Sequence, residues 1–121
     1  MRFNKFLLFI LLVASTRIAI AGDLSPIEQK REWLVYTTLA LDAAQTLDIK
    51  NHPNLYETNP LLGRHPSDTK IVAYFIGAGF GHNAITKKLP TEYRAAWQYG
   101  WAALEIGTII RNRKLNLRFN F

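Results

Sequence analysis

Residues 25–51, SPIEQKREWLVYTTLALDAAQTLDIKN, open on a helix start signal and meet no breaker until Asn51-His52-Pro53. Ser25 can accept from the amide three residues on, Pro26 suits the first helical position, and Glu28 can reach back to complete a capping box. The spacing therefore predicts one helix of about 25 residues, with a polar first turn and an apolar body from Trp33 onward. Along that body Thr38, Asp42, Gln45 and Thr46 recur at helical intervals and form one polar stripe.

Two further helices follow. Pro53, Asn59-Pro60, Gly63 and Pro66 crowd residues 51–66 with turn formers, which excludes regular structure there. Ser67 or Thr69 can cap a second helix that stops near Leu89-Pro90, and Pro90 can start a third. Arg111, Arg113 and Lys114 sit at the carboxyl end of the third, where cations favour the helix dipole. The expected architecture is all-α: a signal peptide followed by a three-helix bundle with a Pro-rich loop and a short strand-like tail. In residue terms this means 1–21 as signal, a three-helix domain over 22–114 with helices at about 26–51, 67–88 and 90–112, and an extended tail at 115–121.

The amino terminus points to export. Arg2 and Lys5 precede the apolar run Phe6 to Ala14, and Ala19-Ile20-Ala21 offers the small-x-small pattern before Gly22. Arg17 interrupts the approach to that site, so an uncleaved anchor is the alternative. Of the 15 Lys and Arg, Arg2, Lys5 and Arg17 fall in this segment, leaving 12 against 9 Asp and Glu. Such a balance is a weak basis for nucleic-acid binding and suits a neighbour of anionic lipid at least as well. The chain has no cysteine, which excludes disulfides, thiolate metal sites and a cysteine nucleophile. Gly-x-Ser-x-Gly, phosphate-loop and dinucleotide fingerprints are absent too, so no cofactor is expected.

The apolar helix bodies, 33–49, 71–86 and 95–110, lie at the lower limit for spanning a bilayer, which takes about 20 residues. Small residues at close-packing intervals, Ala73-Gly77-Gly81 and Ala96-Gly100-Ala103-Gly107, favour helices meeting in lipid. So does an aromatic belt of Trp33, Tyr36, Tyr93 and Trp97, with Tyr74 at the opposite boundary. The expectation is a transmembrane helical protein of the inner membrane, with a periplasmic helical domain or an outer-membrane-associated protein as alternatives. Its expected partners are membrane lipid and an envelope protein, or a second copy joined through the faces of Gly77, Gly81, Gly100 and Gly107 and through the 115–121 tail.

Ionisable groups inside apolar helices are costly and usually face a partner or a cavity. Asp42, Gln45, Thr46, His82 and Glu105 are accordingly the candidate residues of a polar track. At 1.5 Å per residue, His82 would sit about 5 Å to one side of Asp42 and Glu105 about 4 Å to the other, a track rather than a point. These groups serve as interhelical glue, as a proton or ion path, or as a metal or catalytic centre. Glu57, Asn59, Arg64 and His65 form a second candidate site in the loop, set against a rigid connector in which Asn59-Pro60 makes a turn and Glu57 pairs with Arg64 or a helix end. The tail Leu115-Asn116-Leu117-Arg118-Phe119-Asn120-Phe121 alternates with a period of two and reads as a strand seeking a sheet edge.

The string Leu41-Asp42-Ala43-Ala44-Gln45-Thr46, followed by Glu57-Thr58-Asn59-Pro60-Leu61-Leu62-Gly63-Arg64-His65-Pro66-Ser67 and later Tyr74-Phe75, His82 and Glu105, resembles uncharacterised small exported proteins encoded by bacteriophages and prophages of Gram-negative bacteria. The resemblance covers most of the chain after residue 21 and implies a phage-related envelope context, without an activity, cofactor or residue role. Two function classes follow: a non-enzymatic envelope protein acting through a partner or the membrane, and a hydrolase or ion-handling protein using Asp42, His82 and Glu105 chemically.

Overall fold

The computed structural model describes residues 24–119. The signal-peptide or anchor reading of residues 1–21 lies outside them, as do Asn120 and Phe121 of the tail.

Helix α1 spans Pro26–Asp48 and runs on into a 3-10 turn at Ile49–Asn51. Its start is the expected capping box: Ser25 Oγ accepts from the Glu28 amide, and Glu28 Oε2 accepts from the Ser25 amide. Helix α2 spans Asp68–Lys88 and is capped by Ser67, whose hydroxyl accepts from the Lys70 amide. Helix α3 spans Thr91–Lys114, with Pro90 just outside it as the cap residue rather than inside the first turn.

Contacts at the ends give the topology. His82 and Thr86, late in α2, meet Glu32, early in α1, so these two helices are antiparallel. Arg94 meets Glu28 and Asn112 meets Asp42, so α3 runs parallel to α1. Helix α1 is the central member, and α2 and α3 pack mainly against it. The core gathers Val35, Leu39 and Leu47 of α1, Ile71 and Phe75 of α2, and Leu62 from the loop.

Four expectations need correction. None of the described helices is long and apolar enough to cross a membrane. Charges interrupt or bound each apolar body, with Glu28, Lys30, Arg31 and Glu32 at the head of α1 and Asp42 within it, Lys70 and Lys87 on either side of 71–86, and Glu105 within 95–110, so no run reaches the roughly 20 residues that a span requires. The membrane and transmembrane reading is therefore withdrawn. The expected belt is also broken, because Tyr36 is buried and Trp97 turns onto His82.

The glycines do not join α2 to α3. A Cβ at Gly77, Gly81, Gly100 or Gly107 would have nothing within 4 Å. Both helices pack mainly on α1 and turn these glycine faces outward.

Among the described residues there is no strand. Helix α3 ends in a Schellman motif: Asn116, at φ 64°, donates to the Arg113 carbonyl, and Leu117 donates to that of Asn112. This reversal breaks the alternation of the tail. Leu117 folds back into the core at 3 % exposure, while Leu115 stays outside at 43 %.

Candidate functional site

The interior holds two polar clusters on one face of α1. Glu28, Glu32, Val35, Leu39, Asp42 and Thr46 follow each other at three- and four-residue steps, and α3 answers with Arg94, Gln98 and Glu105.

The first cluster centres on Glu32, which solvent does not reach. Its Oε1 accepts from Thr86 Oγ1 at 2.6 Å and Gln98 Nε2 at 2.8 Å, and its Oε2 faces His82 Nδ1 at 3.0 Å. Burial alone would push the Glu32 carboxyl up, but the donors His82, Thr86 and Gln98 outweigh it and hold the group below the ordinary range. An ionised carboxylate only accepts, so His82 carries its hydrogen on Nδ1. Its Nε2 is buried without a partner. Trp97 stacks on the imidazole, with ring centroids 5.0 Å apart, and Trp101 meets it edge-on at 6.1 Å. Gln98 extends the network to Arg31 Nε and the Glu28 carbonyl. Arg94 pairs with Glu28 at 3.2 Å and donates to the carbonyls of Lys87 and Leu89, tying the three helices at this end.

The second cluster lies about 15 Å along α1, ten residues at 1.5 Å each. Asp42 and Glu105 bring their carboxyls within hydrogen-bonding reach of each other. Burial, then the neighbouring Glu105 charge, pushes Asp42 up to about 8, and burial also raises Glu105. Carboxyls this close do not both ionise readily, so the pair keeps a proton at neutral pH. Asn112 Nδ2 donates to Asp42 Oδ1 and Gln45 Oε1, each at 3.2 Å, and Gln45 Nε2 donates to the Ile109 carbonyl. Glu105 is 8 % exposed and its Oε2 has no hydrogen-bond partner. Among the described residues the ion pairs are Lys50–Asp68, His52–Asp48, His82–Glu32 and Arg94–Glu28, so no cation is paired with Asp42 or Glu105.

This pair opens on a cavity of about 280 Å³ between α1, the first half of α2, the second half of α3, and the loop. Tyr74 and Trp101 supply aromatic wall, Asn112 and Glu57 supply polar wall, and Arg111 stands exposed at the edge. The volume falls just under the range of about 300–1,000 Å³ usual for small-molecule pockets.

Of the expected track, Asp42 and Glu105 meet, with Gln45 beside them through Asn112. Thr46 lines the same cavity but spends its hydroxyl on the Asp42 carbonyl. His82 does not join them. Trp101 stands between, in a T-shaped contact with the imidazole and among the residues that line the cavity. The expected depths failed because α3 slides along α1 enough to bring Glu105 level with Asp42, while α2 places His82 at the other end.

The loop candidates divide in the same way. Glu57 Oε1 accepts from the Asn59 amide, Asn59 Oδ1 accepts from that of Leu61, and the Glu57 amide donates to the Arg64 carbonyl. The Asn59-Pro60 turn therefore forms, but the link between Glu57 and Arg64 is through backbone. Gly63 closes the turn at φ 80°, a conformation that strains any side chain with a Cβ. Glu57 and Asn59 reach the cavity, whereas the Arg64 guanidinium lies over Tyr56, 4.3 Å from the ring centroid, and His65 is exposed. Among the described residues no three His, Asp or Glu side chains are placed to hold a metal ion.

The residue missed from sequence is Glu32. It stands one position before the apolar body and reads as part of a solvated first turn. The available signal was its place on the stripe of Glu28, Leu39 and Asp42, opposite the Arg94-Gln98-Glu105 stripe of α3.

No family model, no curated protein and no solved structure matches the chain.

Proposed function

We propose that this protein is a binding protein rather than a catalyst, and that it takes a small molecule bearing an ammonium group into the Asp42–Glu105 cavity. The observation that carries this reading is a buried carboxyl pair that faces a cavity and forms no ion pair among the described residues, with Arg111 only at the rim. Two carboxyls in contact cannot both ionise unless a positive charge comes between them. An ammonium group placed there would displace the shared proton and satisfy the unpartnered Glu105 Oε2 with a charge-assisted bond. Arg111 at the rim favours ligands that also carry an acidic group, so amino acids belong in the search beside short alkyl amines.

Catalysis is less well supported. The cavity hydroxyls of Thr46 and Thr108 donate to carbonyls of their own helices, and the His82 imidazole faces away into the Glu32 cluster. A glycosidase needs its two carboxyls about 5–9.5 Å apart, with substrate or water between them, and these are in contact. A one-proton carboxyl pair can activate water, so hydrolysis is the second reading.

Calorimetry of the protein with short mono- and diamines and with amino acids, in two buffers of different ionisation enthalpy, tests the proposal. Binding with release of up to one proton is expected, together with a change in Trp fluorescence from Trp101 in the cavity wall. Asp42→Asn should weaken binding at least tenfold. Silence across the whole panel at millimolar ligand, or unchanged affinity in the double variant Asp42→Asn with Glu105→Gln, would refute it. Turnover of an ester or peptide lost in Asp42→Asn would favour the second reading.

A further inference from the structure

Helix α3 carries an apolar stripe on the side away from the core. Tyr93, Ala96, Gly100, Ala103, Gly107 and Ile110 alternate at three- and four-residue steps, and every one is exposed. That is the periodicity of a coiled-coil seam, although among the described residues nothing packs on it. Large side chains flank it, with Leu104 exposed to 67 %, Ile106 to 42 % and Tyr99 to 53 %. The positions of Gly100 and Gly107 are open, with nothing within 4 Å of where a Cβ would stand.

We infer that this face pairs with the same face of a second copy, the two α3 helices lying antiparallel about a two-fold axis at Ala103. Shape and charge both select that arrangement. With Ala103 on the axis, Gly100 of one copy lies beside Gly107 of the other on one flank, Ile106 lies beside Tyr99 on the opposite flank, and Ala96 meets Ile110. The glycine flank lets the two backbones approach, and the bulky flank fills the contact beside it, as close helix packing requires. At the ends, Glu92 in the first turn of one helix lies beside Arg113 and Lys114 in the last turn of the other. The two-fold repeats that contact, and it sets each helix amino terminus against a carboxyl terminus. A parallel pair would instead bring Arg113 and Lys114 against their own copies, and like charges in register select against it. The interface lies on the opposite side of α3 from Glu105, so it leaves the cavity open and stands independently of the proposed ligand.

The chain has no cysteine, so single cysteines report the geometry directly. In the full chain, Ala103→Cys should give a covalent dimer on mild oxidation. Ala96→Cys alone should not, whereas a mixture of Ala96→Cys with Ile110→Cys should. Sedimentation should show the unmodified protein at twice the chain mass, and Ala103→Glu, which sets two carboxylates on the axis, should return it to a monomer of unchanged helix content. A monomeric wild type, or a dimer indifferent to Ala103→Glu, overturns the inference; the second result would move the contact to the exposed face of α2 around Phe80 and Ile85. Efficient cross-linking of Ala96→Cys with itself overturns the antiparallel arrangement.

Discussion

His82 faces Glu32 at 3.0 Å across the α1–α2 interface, and neither side chain is more than a few per cent exposed. The contact joins two helices that are otherwise held by apolar packing, and Thr86 and Gln98 complete it. A buried network in which the carboxylate meets three donors is rigid, because losing any one partner strands the others.

Glu32→Ala removes the acceptor shared by His82, Thr86 and Gln98. The loss should be about 3–5 kcal/mol, the usual cost of breaking a buried charged pair from one side. Urea unfolding followed by circular dichroism measures it, and a loss under 1 kcal/mol would show that the cluster reorganises around water.

The two clusters give opposite pH dependences. Glu32 is held below its ordinary value of 4.5, so its contribution is present above that value and is lost as pH falls through the folded-state value. Asp42 is raised from 3.8 to about 8, so the folded state binds a proton that the unfolded chain has released. Stability from that group is complete below about pH 4 and is lost as pH rises towards 8. Maximum stability should therefore lie on the acid side of neutrality. Asp42→Asn keeps an oxygen for Asn112, lets Glu105 ionise and should flatten the decline, so the variant gains on the wild type between pH 5 and pH 8. Parallel profiles for the two proteins in thermal melts would contradict the shared proton.

The tail separates two leucines that one pattern makes equivalent. Leu117→Ala should cost about 2–5 kcal/mol as a buried truncation, and Leu115→Ala less than about 0.5 kcal/mol as a surface change. Equal effects on the urea midpoint would restore a strand in which both face the same way.

Asp48 fastens that tail. Its carboxylate accepts from the Arg118 amide at 2.9 Å, from Asn51 Nδ2 at 2.8 Å and from His52 Nε2 at 2.9 Å. Asp48→Ala should speed hydrogen exchange at Arg118 at least tenfold and lower stability by about 1–3 kcal/mol. Unchanged exchange there would mean that Leu117 alone holds the segment.

Ser25, Pro26 and Glu28 announce the start of α1, and Ser67 that of α2, because capping is settled within four consecutive residues whatever surrounds them. Asp42 and Glu105 were visible for a similar reason, as single charges in otherwise apolar helical runs. Their partnership was not visible. Which carboxyl meets which donor depends on how far one helix slides along another, and the packing adopted leaves His82 nearly three turns of α1 from Asp42. Glu32 escaped notice because a charge in a first turn reads as solvated until a neighbouring helix covers it. The outward glycines and the inward Trp97 were settled in the same way. Helix periodicity specifies which residues share a face, and only the packing of α2 and α3 on α1 specifies which face is covered.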